Sequence, residues 1–487
     1  MEIGEKVRLA DSPVPSALPH LSEEASKAVG KAARGQTPRE SQSVFEPARD
    51  RPDPITLLEE QAATRVPELV PIRYGRMLVS PFTFFRGAAL VMASDLSTTP
   101  RSGLTTQLCG DAHLSNFGVF GSPERQLVFD CNDFDETHPG PWEWDLKRLA
   151  ASVVVASRNL GFPSSVRTEA VVGLGRVYRE AMRRMAAMTN LEVWYNRVEI
   201  ESMVELFEQH AASTGSKTQA RIAATATKLT TKAHTKDSIK ALDKLTAVVD
   251  GRRRIINDPP LIVPVEDLFP QVQSDAMVEL FHEVILRYRQ SLPTDRRHLL
   301  EKYQFSQLAR KVVGVGSVGT RAWIALLHGP RHDDVLFLQA KEAEASVLEE
   351  FVGKSKYTNH GERVVAGQHL MQAASDIFLG WQRVEGLDGI SRDFYLRQLR
   401  DWKGSFEIEG AIPKGLATYA GLCAQALARA HARSGDRIAI ASYLGNSTTF
   451  DDALAEFAET YADQNEKDYT ELKKAVADGR IRAETGL

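Results

Sequence analysis

Residues 109–150 read CGDAHLSNFGVFGSPERQLVFDCNDFDETHPGPWEWDLKRLA, and this stretch decides most of what the sequence says about the fold. The runs TTQLCGDAH and QLVFDCNDFD have the pattern of short apolar strands that end in acidic segments. The segment SPERQLVFD suits a turn and a returning strand, which would bring Asp133 back beside Asn116. WDLKRLAASVVVASRNLGF then has the pattern of a helix that Gly161 and Pro163 end.

Hard oxygen donors are concentrated in the same stretch. Asp111 and Asn116 stand five residues apart, and Asp133 and Asp135 follow. Phosphoryl transfer needs one carboxylate to orient a hydroxyl and oxygen ligands to hold Mg²⁺ against phosphates. Kinase catalytic loops place Asp and Asn at this spacing and add a later metal-binding Asp. The acids could instead cap a helix or pair with nearby arginines, but four polar groups at strand ends in this order favour a functional site.

The motif GDAHLSN, followed by DFD and WEWDLKRLA, resembles the aminoglycoside phosphotransferase and choline kinase branch of the protein-kinase-like superfamily. More closely, SPFTFFRGAA, QLCGDAHLSNFG, DFDETHPGPWEWDLKRLAAS and LRDWKGS resemble the uncharacterised bacterial DUF2252 family, over nearly the whole chain from Gly30. The resemblance implies an α+β, protein-kinase-like two-lobed fold. It says nothing about the substrate.

The resemblance also implies roles for individual residues. Asp111 matches the catalytic base, and Asn116 and Asp133 match magnesium ligands. Asp145 matches the acid that braces the catalytic loop from the following helix. The roles of two further residues stay open. His113, the histidine in the loop, can be structural or catalytic. Asp135 stands in place of the glycine of an Asp-Phe-Gly turn and can be a third metal ligand.

A second candidate region, GVGSVG, lies between two strand-like runs. A glycine loop inside a hairpin suits a cover for nucleotide phosphates, whereas a Rossmann loop would open a helix. VLFLQAKEA then places Lys341 at the end of an apolar strand, where kinases carry the lysine that holds phosphates. Its acidic partner is expected from the next helix, and both Glu349 and Glu362 qualify. The candidate glycines are Gly314, Gly316 and Gly319.

In an ordinary kinase the glycine loop and its lysine precede the catalytic loop, but here they follow it. We therefore predict a circularly permuted fold, which surface termini can tolerate. The tail supports this interpretation, because LCAQALARAHARSGD resembles the helix that normally leads into the catalytic loop. The predicted parts are an extended N-terminal arm at 1–54, a large, mostly helical lobe at 55–300 with the catalytic and metal-binding loops, a small β-rich nucleotide-binding lobe at 301–405 and a helical segment at 406–487 that packs on the large lobe.

Side-chain patterns add four smaller predictions. DIFLGWQRV and DFYLRQLRDW are expected to complete the small lobe's sheet, and an apolar stripe in the tail marks a helix packed on a core. Arginines before the catalytic loop either reach phosphate or pair with nearby acids. Two tryptophans are expected to pack under the loop. The stripe is Phe450, Leu454, Phe457 and Tyr461, the arginines are Arg73, Arg76 and Arg86, and the tryptophans are Trp142 and Trp144.

Composition narrows the functional classes. The 487 residues carry a formal net charge of −4, which gives no global reason to expect nucleic acid. Lysines at helical spacing within 214–245 indicate a solvated helix face, with contact to phosphate or RNA as the less favoured alternative. Cys109, Cys131 and Cys423 are predicted to be small buried thiols, because they show neither disulfide nor metal-ligand spacing. The sequence shows no membrane-length apolar run and no signal-peptide pattern, so a cytoplasmic protein is expected.

The sequence thus predicts an ATP- and Mg²⁺-dependent phosphotransferase that acts on a hydroxyl group. A small molecule is the preferred class of acceptor, and a protein is the less favoured one. Three alternatives share parts of the site. They are a nucleotide-binding pseudokinase, a kinase-fold enzyme that transfers AMP, and a metal-dependent phosphohydrolase that uses no nucleotide. The acceptor and the oligomeric state stay open.

Overall fold

The computed structural model describes residues 21–201, 238–249, 252–271, 283–331, 334–386, 388–399 and 402–487, with a few single positions between 224 and 231. The described chain is a mixed α+β structure. Its helices are α1 Glu23–Gln36, α2 Pro54–Ala62, α3 Val70–Met77, α4 Pro81–Gly87, α5 Ala89–Ser97, α6 Trp142–Asn159, α7 Ser164–Ala186, α8 Asn190–Tyr195, α9 Ser238–Leu245, α10 Val265–Leu268, α11 Thr294–Leu300, α12 Glu349–Val352, α13 His360–Met371, α14 Pro413–Ser434, α15 Arg437–Leu444 and α16 Thr449–Ala477.

The strands form one large sheet and three small ones. They are β1 Thr105–Leu108, β2 Phe117–Gly121, β3 Leu127–Cys131, β4 His138–Pro141, β5 Val198–Glu199, β6 Thr246–Val249, β7 Arg252–Ile255, β8 Ile262–Pro264, β9 Gln304–Lys311, β10 Ala322–His328, β11 Val335–Ala343, β12 Gly380–Glu385 and β13 Ser391–Gln398. The large antiparallel sheet has the order β12-β13-β11-β10-β9-β8. The small sheets are β1-β4, β2-β3-β5 and β6-β7.

The large sheet confirms the strands predicted around the glycine motif and at 376–402. Strand β8 also belongs to it, so the sheet begins before the boundary predicted at residue 301. Side chains alternate between its faces. Lys341 on β11 lies opposite Tyr395 on β13, and the two share one face. Helix α13 packs on that face, since Val364 belongs to the same apolar cluster as Tyr395.

The helical part is built around α6, which is buried along nearly its whole length. The helix starts directly after Pro141 and carries Glu143 and Asp145 in its first turn, where acidic side chains favour the helix dipole. Helices α7, α14 and α16 surround it. The predicted stripe of the tail is confirmed, because Phe450, Leu454, Phe457 and Tyr461 are all buried in α16.

The segment predicted as an extended arm contains a helix. Within its described part, α1 packs against α15, and a Cβ at Gly30 would lie 2.0 Å from the carbonyl oxygen of Ala439. The helix uses small residues for this contact, with Ser26, Gly30 and Ala33 buried. The absence of large apolar side chains, which suggested an extended arm, therefore reflects close backbone packing. Residues 1–20 and most of the predicted lysine-rich helix face lie outside the described residues.

Two further predictions can be compared directly. All three cysteines are free and buried, as predicted. Among the described helices, none is long and apolar enough to cross a bilayer.

Candidate functional site

Asp111 lies in a tight loop that follows β1. Gly110 has φ of +86°, and a Cβ there would lie 2.2 Å from the carbonyl oxygen of Glu136, so only glycine fits. The carbonyl of Asp111 accepts hydrogen bonds from the backbone N–H of His113 at 2.8 Å and from Nδ2 of Asn116 at 2.8 Å. The five-residue spacing of Asp111 and Asn116 therefore closes one compact turn. Because Nδ2 of Asn116 is engaged, its Oδ1 remains as a possible ligand atom.

The carboxylate of Asp111 contacts Arg148 and His113. Nε of Arg148 donates to Oδ1 of Asp111 at 2.5 Å, and Nε2 of His113 lies 3.7 Å from its Oδ2. Burial raises the pKa of Asp111, Arg148 opposes this rise, and Asp133 adds to it. The influence of Asp133 shows that the second acidic motif faces the first. Asp111 keeps a side-chain exposure of 19%, so a ligand can reach it.

His113 is a neutral loop residue in this arrangement. Burial, together with Arg86 and Arg148, moves its pKa well below the ordinary value. Its Nδ1 accepts a hydrogen bond from the backbone N–H of Ser115 at 3.2 Å, which assigns the proton to Nε2 on the side of Asp111. The histidine thus shapes the loop and also faces the candidate catalytic carboxylate.

The second acidic motif pairs with Lys341 across the molecule. Nζ of Lys341 donates to Oδ2 of Asp135 and lies 3.8 Å from Oδ2 of Asp133. The hydroxyl of Tyr395 donates to Oδ1 of Asp135 at 2.6 Å, and Oδ1 of Asp133 accepts the backbone N–H of Asp135 at 3.2 Å. Four groups from the motif loop, β11 and β13 therefore form one cluster.

The pKa values of the cluster follow from its charges. Burial raises the pKa of Asp133, and the neighbouring charge of Asp135 raises it further. Burial would also raise the pKa of Asp135, but Lys341 and the hydroxyl of Tyr395 outweigh it and lower that pKa. The pKa of Lys341 is raised, since the two carboxylates outweigh its burial. Lys341 is thus a buried, permanently charged ammonium that neutralises part of an acidic pair.

The pairing of Lys341 differs from the expected one. Its ion pairs are with Asp135 and Asp133, whereas the sequence suggested Glu349 or Glu362. Glu349 instead accepts a hydrogen bond from the backbone N–H of Ser346 at 3.2 Å. Glu362 lies in the first turn of α13, whose start is capped by the side chain of Asn359.

Helix α13 contributes a different side chain toward the acidic motif. This is Arg363, which donates to the carbonyl oxygen of Asp135 at 2.8 Å and to that of Glu344 at 2.8 Å. Helix α13 therefore binds the backbone that carries the two acids, whereas Lys341 pairs with their carboxylates.

The glycine motif forms the connection between β9 and β10, as predicted for a hairpin. Gly314 and Gly319 have φ of +67° and +91°, a region that favours glycine. Arginines hold the loop by its carbonyls: Arg76 donates to Gly314 O at 2.6 Å, and Arg65 donates to Gly316 O at 2.8 Å. The hydroxyl of Ser317 lies 3.3 Å from Oδ2 of Asp135, so the tip of the loop contacts the acidic pair.

Asp145 supports the Asp111 loop from α6. Its carboxylate accepts the backbone N–H of Cys109 at 2.8 Å and that of Gly110 at 3.0 Å. Nε2 of His431 lies 3.3 Å from the same carboxylate, and Nδ1 of His431 lies 2.7 Å from the hydroxyl of Tyr178. Helices α7 and α14 thereby reach the loop through a buried polar chain that the sequence did not reveal.

The three arginines of the preceding segment separate in space. Arg73 is fully buried and donates to the carbonyl oxygen of Gly87 at 3.0 Å, while Arg76 contacts the glycine loop. Arg86 is the one that faces Asp111, and burial lowers the pKa of its guanidinium. Its buried Nε has no hydrogen-bond partner among the described residues.

The two tryptophans confirm the predicted packing role. Both are buried. Trp142 stacks on Tyr178 with ring centroids 5.5 Å apart, and its Nε1 donates to Oγ of Ser102 at 3.0 Å.

Sequence reasoning missed three residues of the cluster, namely Tyr395, Arg397 and Lys403. Arg397 donates to the carbonyl oxygen of Asn132 at 3.0 Å, and its guanidinium lies 5.6 Å from the ring centroid of Tyr395. The alternation of DFYLRQ places Tyr395 and Arg397 on one face of a strand. No local pattern says that this face meets the acidic motif.

The chemical types of these oxygen donors suit a magnesium ion. Asn116, Asp133 and Asp135 supply amide and carboxylate oxygens, and a divalent cation would relieve the repulsion that raises the pKa of Asp133. Among the described residues, no three His, Cys, Asp or Glu side chains converge as a ready metal-binding group. The donor set therefore suits an ion that is shared with phosphate oxygens better than one held by protein alone.

Comparison with known proteins places the chain in a family. A family model described as an uncharacterized protein conserved in bacteria (DUF2252) matches residues 65–475, so the chain belongs to that family. No curated protein matches the chain. No solved structure matches it either.

Proposed function

We propose that this DUF2252 protein is an ATP- and Mg²⁺-dependent phosphotransferase that acts on a hydroxyl acceptor, with a small molecule as the preferred class. The observation that carries the proposal is the cluster of Lys341, Asp133 and Asp135, which a glycine hairpin covers and which faces Asp111. Phosphoryl transfer depends on positioning and charge stabilisation, and this cluster combines a phosphate-binding cation with hard oxygen ligands.

Each residue has a defined task in the proposal. Asp111, oriented by Arg148, accepts the proton of the acceptor hydroxyl. Oδ1 of Asn116 and the carboxylate of Asp133 would hold the magnesium ion, which neutralises charge on the phosphates when bound. Asp135 is the further candidate ligand. Arg86 points its charge toward Asp111, where the transferred phosphoryl group would pass.

Lys341 is the residue that must change partners. In the free protein its ammonium is engaged by Asp135 and Asp133. Nucleotide phosphates would replace the two carboxylates as partners of the ammonium, and the carboxylates would become available to the metal. This exchange keeps every buried charge compensated in both states, which is the condition for a buried ion pair to be tolerated.

A permuted kinase-like arrangement accounts for the order of these parts. We infer that the sheet β8–β13 with α13 acts as the small lobe and that the helical part with the Asp111 loop acts as the large lobe. The linker 399–412 then joins β13 to α14, and α14 leads toward the catalytic loop through His431 and Asp145. The antiparallel sheet, the hairpin position of the glycines and the strand position of Lys341 support this inference.

AMP transfer is a second candidate, and one observation favours it. Gln339, Arg397 and Lys403 put polar and charged groups on the linker side of Lys341, whereas an adenine base is usually held by apolar side chains. A nucleotide in the reverse orientation would place its phosphates there.

Phosphorus NMR of a reaction with Mg²⁺, ATP and a pool of small hydroxyl compounds tests the proposal. The expected result is ADP together with new phosphate-ester signals, both absent with Asp111→Asn. AMP and pyrophosphate would identify the second candidate. ATP consumption that is equal for wild type and Asp111→Asn would contradict the role of Asp111. No consumption by either protein while ATP still binds would contradict catalysis and leave a nucleotide-binding protein.

A further inference from the structure

The linker between β13 and α14 is fixed against the strand that follows the catalytic loop. Gly404 forms a reciprocal backbone pair with Val119 of β2: Val119 N donates to Gly404 O at 2.8 Å, and Gly404 N donates to Val119 O at 2.9 Å. Strand β2 begins directly after Asn116. A Cβ at Gly118 would lie 2.5 Å from Gly404 O and 2.7 Å from Nδ2 of Asn132, so the chain next to Lys403 passes the residue that precedes Asp133.

The backbone just before Lys403 is strained. Trp402 has φ of +54°, a region that bulky side chains rarely adopt. The guanidinium of Arg125 lies 3.9 Å from the centroid of the Trp402 ring and holds it in place. Strain of this kind persists where surrounding contacts fix it.

Charged groups of both signs surround Lys403. The charged groups that face it are Arg397 on β13, Lys341 on β11, Asp133 in the motif loop and Asp376 before β12. Burial, followed by the charge of Arg397, lowers the pKa of Lys403 to about 7. Both carboxylates have other cationic neighbours, since Asp133 faces Lys341 and Arg397, and Asp376 faces Arg397.

Three cations from three separate elements thus lie near three acids, and two of these acids, Asp133 and Asp135, are already engaged by Lys341. Crowding like charges in a partly buried site is unfavourable unless an anion occupies it. A polyphosphate suits the site, because it carries several negative charges along a short chain and accepts bidentate bonds from a guanidinium.

We propose that Lys403 and Arg397, together with Lys341, bind the phosphates of a nucleoside triphosphate. This inference rests on the proposed nucleotide binding and adds to it a second, linker-side pair of phosphate-binding residues. Lys341 binds phosphate from the sheet, and Lys403 binds it from the linker.

Isothermal titration of wild type, Lys403→Met, Lys403→Arg and the control Lys414→Met with Mg²⁺-ATP tests the inference. Lys414 is an exposed lysine at the start of α14. Loss of one phosphate contact predicts an affinity for ATP at least ~10-fold lower in Lys403→Met, since charge-assisted hydrogen bonds contribute about 1.5–3 kcal/mol. Lys403→Arg should retain most of the affinity, and Lys414→Met should bind like wild type. Wild-type affinity in a folded Lys403→Met protein would overturn the inference.

Titration with inorganic tripolyphosphate separates failure of this inference from failure of the proposed function. If wild type binds tripolyphosphate but not ATP, and Lys403→Met binds neither, the anion site stands and the nucleotide function falls. If wild type binds neither ligand, both fall.

A measurement without variants covers the case in which Lys403→Met does not fold. Wild-type protein is acetylated with acetic anhydride, with and without Mg²⁺-ATP, and each lysine is quantified by mass spectrometry. ATP should protect Lys403 and leave Lys414 unchanged. Equal labelling of Lys403 in both samples, at ATP concentrations that saturate binding, would overturn the inference.

Discussion

Asp145 fixes the backbone of the Asp111 loop. Its two carboxylate oxygens accept separate backbone N–H groups, from Cys109 and Gly110. In Asp145→Asn one of those oxygens becomes an NH₂ group, so one buried N–H is left without an acceptor. We predict a loss of about 1–3 kcal/mol in the free energy of unfolding, measured by urea denaturation.

The control for this prediction is Asp436→Asn, at the start of α15. Asp436 also accepts two backbone N–H groups, but both bind the same oxygen, Oδ1. Asparagine keeps that oxygen and caps helices as well as aspartate does, so little change is expected. Equal losses in the two variants would contradict the role assigned to Asp145.

Lys147 provides a prediction about pH. Its Nζ is buried in α6, has no hydrogen-bond partner among the described residues and lies 4.7 Å from the ring centroid of Phe457. Burial lowers the pKa of Lys147 to about 8, although Glu143 opposes the shift. Between this value and the ordinary value near 10.5 the unfolded chain binds the extra proton, so this residue makes the folded state more stable as pH rises.

Lys147→Met should therefore be more stable than wild type at pH 7, by an amount on the order of 3 kcal/mol at about 1.4 kcal/mol per pKa unit. The advantage should shrink as the pH rises from about 8 toward 10.5 and disappear above it, where the unfolded wild type also loses this proton. Urea denaturation of both proteins at pH 7 and pH 10 measures this difference, with Lys414→Met as the exposed control. A constant difference across that range would contradict the buried charge.

At the residue scale, the sequence indicated which polar residues of one stretch group together, but it did not indicate their ion-pair partners from other parts of the chain. The spacing of Asp111, Asn116 and Asp133 is local, so one stretch of chain reveals it. The pairing of Lys341 with Asp135 joins residues 206 positions apart and depends on how α13 approaches the sheet. Both glutamates near Lys341 in sequence were plausible partners, and neither forms its ion pair in the structure.

At the element scale, the packing of helix α1 on α15 requires a residue without a side chain at Gly30. Gly30 packs so closely on α15 that a Cβ would lie 2.0 Å from a backbone oxygen, which cannot move aside by changing rotamer. Gly30→Val should displace α1 and expose it to trypsin at Lys31, with a cost of about 1–3 kcal/mol in the free energy of unfolding. Gly35→Val is the control, since a Cβ at Gly35 meets nothing within 4 Å. Equal proteolysis of the two variants would contradict the docking of α1.

Secondary structure was predictable where a pattern is strong. The glycine hairpin, the strand of Lys341 and the stripe of α16 follow from local periodicity and turn residues. Helix α1 was not predicted, because its buried face consists of small residues that hydrophobic patterns do not mark. Strand β8, three residues long and separated from β9 by forty positions, gave no usable signal.

At the scale of the whole molecule, the arrangement brings together segments that lie far apart in the chain. The acidic motif at 133–135, the lysine strand at 335–343 and the linker near 403 meet in one place. The sequence could suggest that two regions belong to one site only through resemblance, because pairing between β11 and β13 is a long-range event without a local pattern. The cluster around Asp135 is therefore the part of the account on which the proposed function depends.

Thermal unfolding with ATP, in the presence and absence of Mg²⁺, tests the central claim most directly on wild type, Asp133→Ala and the exposed control Asp478→Ala. A ligand that binds only the folded state stabilises it by about 2.7 kcal/mol at a hundredfold excess over its dissociation constant. The account predicts a magnesium-dependent rise in Tm for wild type and Asp478→Ala that Asp133→Ala loses. A rise that does not need Mg²⁺ or persists in Asp133→Ala, or no rise with wild type, would contradict the proposed nucleotide and metal site.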